Sequence, residues 1–302
     1  MSNNYLIIGG TEKAGTTSVY QYLCSNPSIC GSIRKETDYF RSPTPHDIAT
    51  YESLFPNAQD NMTRMEASPG YLSESNIAAP AIAKLLPNAK ILFILRDPID
   101  RLLSGFDFHK SRFHIPQSMT FDTYCDLCFR FERGEIAQDV TGLKEWHLRV
   151  PDAGRYAFHL HDFLSLFDRE QIRITTLDSL KKDPLVFMQA LCKWSGLDSD
   201  FYNDYEFFNA NVTFAPKSAL IQKAGLFVNN LLEPYFNRNP RVKQHLLAWY
   251  KVVNGKKTCK PMMSSDTQRA LIEYYSNDIA ELIKIGGEDV SDANNWLIAK
   301  YA

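Results

Sequence analysis

The stretch Tyr5-Leu6-Ile7-Ile8-Gly9-Gly10-Thr11-Glu12-Lys13-Ala14-Gly15-Thr16-Thr17-Ser18 decides how the rest of the chain is read. An apolar run enters a glycine-bounded loop, and Val19, Tyr20 and Leu23 then recur at helical spacing. The pattern predicts strand, loop and helix. Such a loop turns backbone N–H groups and the positive end of a helix dipole toward whatever sits over it, which suits a phosphate. An ordinary glycine-rich turn before a helix is the plain alternative.

Gly10 and Gly15 have the spacing of the nucleotide-binding G-x-x-x-x-G-K-[ST] loop. Thr16 stands where that loop has its Lys, and the one Lys of the stretch, Lys13, lies inside the loop. An NTPase needs its Lys on the β and γ phosphates and its hydroxyl on magnesium. This loop suits a single 5′ phosphate group held by amides and the Thr16, Thr17 and Ser18 hydroxyls, leaving Lys13 to meet the bond being broken.

The chain's 302 residues allow one large α/β domain or two small ones, and we read 1–302 as a single domain. Hydrophobic content of 44% and charged content of 23% are those of a soluble globular protein. A net charge of −2 points to neither a nucleic-acid partner nor an acidic membrane surface. The six cysteines do not read as a disulfide framework, and Cys125-x-x-Cys128 has no second pair for a zinc site, so two partly buried thiols are expected. With no signal peptide and no membrane-length apolar run visible, the expected location is cytoplasmic.

Further along, Ile29–Ile33 predicts a short strand leading into Lys35-Glu36-Thr37-Asp38-Tyr39-Phe40. A charged pair at a strand's carboxyl end is a candidate site, because ligands of open parallel sheets collect there. A solvated salt bridge is the alternative. Met65–Tyr71 reads as a brief strand into a turn, and Pro80 as the first position of a helix through Leu86. Ala89-Lys90-Ile91-Leu92-Phe93-Ile94-Leu95-Arg96-Asp97-Pro98 predicts a central strand buried on both faces, with Arg96 at its carboxyl end. Asp97-Pro98 opens a helix carrying Arg101, Ser104 and His109. A forked cation beside a helix-borne hydroxyl suits a second phosphate.

Helices are expected over Phe121–Phe131 and Gly154–Phe167, a strand over Gln171–Leu177, and a helix from Asp183-Pro184 to Gly196. Asn209–Lys217 and Asn254–Pro261 read as irregular, and a last helix starts near Ser264-Ser265 with Gln268 placed for a capping box. The alternation predicts an α/β, P-loop-like three-layer fold with a central parallel sheet flanked by helices.

Two separate anion sites suit a nucleoside 3′,5′-bisphosphate better than ATP. At this point the chain resembles the superfamily of sulfotransferases that use PAPS (3′-phosphoadenosine 5′-phosphosulfate). Thr11–Ser18 resembles its 5′-phosphosulfate loop, and Arg96-Asp97-Pro98 with Arg101 and Ser104 resembles its R-D-P-x-x-R-x-x-S 3′-phosphate motif. Lys35–Phe40 is similar to the K-E-x-x-[FY]-F segment of the heparan-sulfate branch, and Gly154-Arg155-Tyr156 with Phe163 and Leu166-Phe167 to a later helix of that branch. The segment at Glu66-Ala67-Ser68-Pro69-Gly70-Tyr71 is similar to E-x-[ST]-P-x-Y, with Ala67 where that branch usually has Lys.

The resemblance implies transfer of the PAPS sulfonyl group to a hydroxyl of a saccharide or small natural product, with PAP (adenosine 3′,5′-bisphosphate) as product and no metal. It implies that Lys13 contacts the bridging oxygen and that Ala14, Gly15, Thr16, Thr17 and Ser18 cradle the 5′ phosphate. Arg96 and Ser104 bind the 3′ phosphate, joined loosely by Lys256 and Lys257. Glu36 is the general base, Lys35 positions the acceptor or sulfonate, and His109 is a rival base. Other readings are a P-loop kinase or NTPase, and a non-catalytic nucleotide-binding module.

Overall fold

A computed structural model describes residues 4–44, 46–208, 215–216, 218–232, 235–236, 242, 246, 249–250, 254–256 and 262–297. Its contacts group the chain into two compact units. One comprises 1–97, 155–209 and 275–302, and the other 98–154 and 210–274.

The first unit holds a parallel sheet of β1 (Tyr5–Gly10), β2 (Ile29–Gly31), β3 (Thr63–Ala67), β4 (Lys90–Leu95) and β5 (Ile172–Thr176), in the order β2-β3-β1-β4-β5. β1 runs parallel to β3 from Tyr5 opposite Arg64 and to β4 from Leu6 opposite Lys90. β4 is also paired along its other edge with β5. Ile91 to Leu95 are fully buried, which is why the strand reads as an unbroken apolar run. Helix α1 (Thr16–Cys24) carries the chain from β1 out to β2, while β4 lies on the opposite side of β1. The carboxyl end of β1 is therefore the point where strand order reverses, the place where open α/β sheets bind ligands.

Layers form on both faces of that sheet. Leu6, Ile8, Met65, Leu92 and Ile94 pack in one core with Val19 and Leu23 of α1 and Phe187, Met188 and Leu191 of the helix Pro184–Ser195. From the other face Phe93 meets Phe163 of the helix Tyr156–Leu164 at 4.8 Å between ring centres. Asp183 caps Pro184–Ser195 through the Val186 N–H, and Gly196 closes it in the left-handed region, as its sequence signals predict.

In the second unit, the helix Pro98–Ser111 seats Phe106 against Phe121 and Tyr124 of Phe121–Glu132, with ring centres 5.5 and 5.2 Å apart. Cys125 and Cys128 are buried free thiols, and burial pushes Cys128 up to about 12.

Three expectations change. Pro80 lies inside the helix Ser75–Leu85 and does not open it. The helix starts a turn earlier because Ser75 is buried and donates to Asp162 at 2.6 Å, and Ala78 and Ala79 are fully buried. The cap of the last helix, Ser265–Gly286, is one residue off: Ser264 Oγ accepts the Thr267 N–H at 3.2 Å, so Thr267 holds the position expected for Gln268. Finally, part of the stretches read as irregular is ordered, since Ala215–Pro216 pairs antiparallel with Gly255–Lys256.

Candidate active site

The loop after β1 is shaped by two left-handed residues, Lys13 at φ 65° and Gly15 at φ 86°. Gly15 is the N-cap of α1, and a Cβ there would lie 2.8 Å from Leu177 Cδ1, so both conformation and space call for glycine. No side chain caps α1, and the Ser18 and Val19 N–H groups donate to the Gly15 carbonyl at 3.0 and 3.2 Å, so the Thr16 and Thr17 N–H groups stand ahead of the first intrahelical bond. Thr11 N–H ties the loop to the Ile94 carbonyl at 2.8 Å. Ala14, Thr16 and Ser18 are buried, while Lys13, Gly15 and Thr17 are half-buried. This is a glycine-bounded loop at a helix N-terminus, the local arrangement that holds phosphates.

Arg96 follows β4 and reaches back to the loop, where its Nη1 donates to the Lys13 carbonyl at 3.1 Å. Its own carbonyl accepts the Tyr156 hydroxyl at 2.7 Å, which fixes the backbone from which the guanidinium extends. The two strand ends singled out in the sequence are thus in direct contact through Arg96. Lys35 and Glu36 follow β2 and are paired at 2.7 Å, with Lys35 14% and Glu36 57% exposed along the side chain. The Lys35 carbonyl accepts the Ala67 N–H at 3.1 Å, anchoring this pair to the carboxyl end of β3.

Beneath that pair lies a group to which the sequence reading assigned no role. Glu66 on β3 is fully buried and accepts from Ser68 at 2.7 Å, Tyr71 at 2.9 Å and Tyr51 at 3.3 Å, and from the Thr37 hydroxyl. Ser68 in turn accepts the Asp38 N–H at 3.0 Å. Burial pushes the Glu66 carboxyl above the usual carboxylate range, against the pull of the four hydroxyl donors. The network holds Thr37 and Asp38, the residues directly after Lys35-Glu36. The sequence signals of Glu66 are its place at the head of the Glu66-x-Ser68-Pro69-x-Tyr71 segment and its being the one acid of the short strand.

In the second unit, Ser104 is half-buried on the helix Pro98–Ser111. Arg101, the second arginine of the Arg96–Ser104 motif, is buried and donates to the Val150 carbonyl, so its guanidinium secures the chain locally. His109 is buried against Trp146 and His147, with ring centres 4.9 and 5.3 Å away. Of the expected C-terminal cations, Lys256 is described only as backbone in the short ladder, and Lys257 lies outside the described residues.

A family described as "Sulfotransferase domain" matches residues 3–213. The chain belongs to the sulfotransferase domain family. That family uses PAPS and yields PAP. Among relatives, this sulfotransferase-family chain is 30% identical over 302 residues to bifunctional heparan sulfate N-deacetylase/N-sulfotransferase 3 of Homo sapiens, covering 97% of the chain and 31% of that protein. It is 27% identical over 299 residues to the corresponding enzyme 4 of Mus musculus, covering 93% of the chain and 29% of that protein. The chain thus spans about three-tenths of the length of these relatives. A sulfotransferase from Alicyclobacillus acidocaldarius shares the fold, with a TM-score of 0.65 at 21% identity over 97% of this chain and 99% of that one.

Proposed function

We propose that this chain transfers the sulfonyl group of PAPS to a hydroxyl of a saccharide or small-molecule acceptor. The observation that carries the reading is the Arg96–Lys13 contact, which brings a strand-end cation against an amide-lined loop at the sheet's switch point. In this reading the amides of Ala14 to Ser18 and the Thr16 and Thr17 hydroxyls hold the 5′ phosphate. Arg96 and Ser104 hold the 3′ phosphate, with Lys256 and Lys257 adding charge.

Glu36 takes the proton from the acceptor hydroxyl as its oxygen bonds to sulfur. The bond between sulfur and the bridging phosphate oxygen breaks, and Lys13 stabilises the negative charge that collects on that oxygen. Sulfonyl transfer, like phosphoryl transfer, leaves the protein mainly with positioning and charge stabilisation. Lys35, paired with Glu36 and largely buried, steadies the base and the incoming group. The Glu36 side chain is exposed enough for an acceptor to reach it, which supports Glu36 over the buried His109 as base.

The kin named for heparan sulfate N-sulfation suggest a saccharide, but Ala67 is fully buried where a cation would favour a polyanionic glycan. An uncharged sugar or another small alcohol fits better. The test is a screen of sugars, phenols and alkaloid-like alcohols with radiolabelled PAPS. Label transfer to one class, lost in Glu36→Gln with PAP binding retained, supports the reading. Absence of both transfer and PAP binding overturns it.

A further inference from the structure

The second unit gathers three histidines that the proposed reaction does not use together: His109 on Pro98–Ser111, His114 just after it, and His147 on the short helix Glu145–Leu148. Their ring centres lie 5.8 Å apart for His109 and His114, 5.8 Å for His114 and His147, and 5.3 Å for His109 and His147. One ligand nitrogen from each falls within 4.8 Å of those of the other two. His109 and His147 are buried and His114 is exposed, so the cluster has a closed side and a side open to solvent. Nε2 of His147 is buried and makes no hydrogen bond, whereas its Nδ1 accepts the Lys144 N–H at 3.3 Å. A buried ring nitrogen left in that state costs free energy, and proteins rarely keep one without a use.

We propose that His109, His114 and His147 form a binding site for a divalent transition-metal ion of the zinc class. Three imidazole nitrogens with a fourth position left to water is an established zinc geometry. Nitrogen donors without a carboxylate select zinc, copper or nickel over magnesium and calcium. Zinc–nitrogen bonds of about 2.0–2.1 Å put ligand nitrogens roughly 3.3 Å apart in a tetrahedron, so the rings draw together by about 1 Å or more on binding. Rotation of exposed His114 supplies much of that movement. Coordination through Nε2 of His147 moves its ring proton to Nδ1 and breaks the long bond from the Lys144 amide, with no net proton lost. Lys144 and Arg112 lie near enough to act electrostatically on the cluster, so the site binds more weakly than a closed structural zinc centre. Metal on His109 occupies a ring nitrogen that base catalysis would need, in keeping with Glu36 as the base.

The test uses the full chain after chelator treatment, titrated calorimetrically with zinc sulfate and spectroscopically with cobalt(II). The expected result is one equivalent bound with the visible absorption of tetrahedral cobalt, unaffected by excess magnesium. His114→Gln and His147→Asn each weaken binding about ten-fold or more. Because His114 is exposed, His114→Gln keeps the fold and remains decisive should His147→Asn fail to fold. No zinc binding, or the same affinity in His114→Gln, overturns the proposal.

Discussion

Lys13 and Glu36 divide the proposed chemistry between the leaving and the incoming oxygen, and they should fail differently. Lys13→Ala removes a donor aimed at developing charge, so kcat falls by about 10²–10³-fold. Steady-state rates with PAPS check this, and a kcat within a few-fold of wild type contradicts it. Glu36→Gln keeps the shape and removes the base, lowering kcat by about 10²–10⁴-fold while calorimetry shows PAP affinity unchanged. A fully active Glu36→Gln would pass the base role to another group, His109 first. At this scale the sequence was legible where a motif is local. The loop's Lys13 and Gly15 stand where a strand–loop–helix reading puts them. The role of Glu66 was not legible, because it depends on Thr37 and Tyr51, from separate segments, meeting Ser68 and Tyr71 of its own segment around the carboxyl. The three histidines were missed for the same reason, since His147 joins His109 and His114 only through folding.

The strand β3 and the loop it supports make one element, and Glu66 couples them. Burial pushes its carboxyl above its ordinary value, so between that value and its folded pKa the native chain holds a proton that the unfolded chain has released. Stability therefore falls as pH rises through that interval and levels off above it. Glu66→Gln removes the slope: thermal melts across that range should show wild type losing ground to the variant as pH rises, and parallel curves would contradict this. Phe93 tests the opposite face. It is fully buried against Phe163, so Phe93→Ala costs about 3–5 kcal/mol in denaturant unfolding, and a loss under 1 kcal/mol is the contrary result. The strands β1 and β4 were legible because each is a short apolar run ended by a turn or charge, whereas β3 starts at Thr63 and carries Arg64 and Glu66. The start of Ser75–Leu85 was not, because burial of Ser75, Ala78 and Ala79 outweighs the usual preference of Pro80 for a helix's first turn.

Across the whole molecule, the parallel order β2-β3-β1-β4-β5 sets the switch point at β1, and the phosphate-type loop and Arg96 follow from it. Alternating strand and helix signals sufficed for that architecture. Sorting the chain into two interleaved units did not show in the sequence, because 98–154 and 210–274 are joined by contacts and not by any linker composition. In the proposed sulfonyl transfer, Lys13 and the loop amides supply the charge stabilisation that a kinase draws from magnesium. Turnover should persist in excess chelator, and its loss with recovery on adding magnesium would favour the kinase. The central claim is that the loop after β1 and Arg96 together recognise one 3′-phosphorylated nucleotide. Calorimetric titration of wild type and Arg96→Ala with adenosine 3′,5′-bisphosphate and with adenosine 5′-monophosphate tests it most directly. The account predicts that wild type prefers the bisphosphate by about ten-fold or more, the worth of a charged hydrogen bond, and that Arg96→Ala loses the preference. Equal affinity of wild type for the two nucleotides would contradict it.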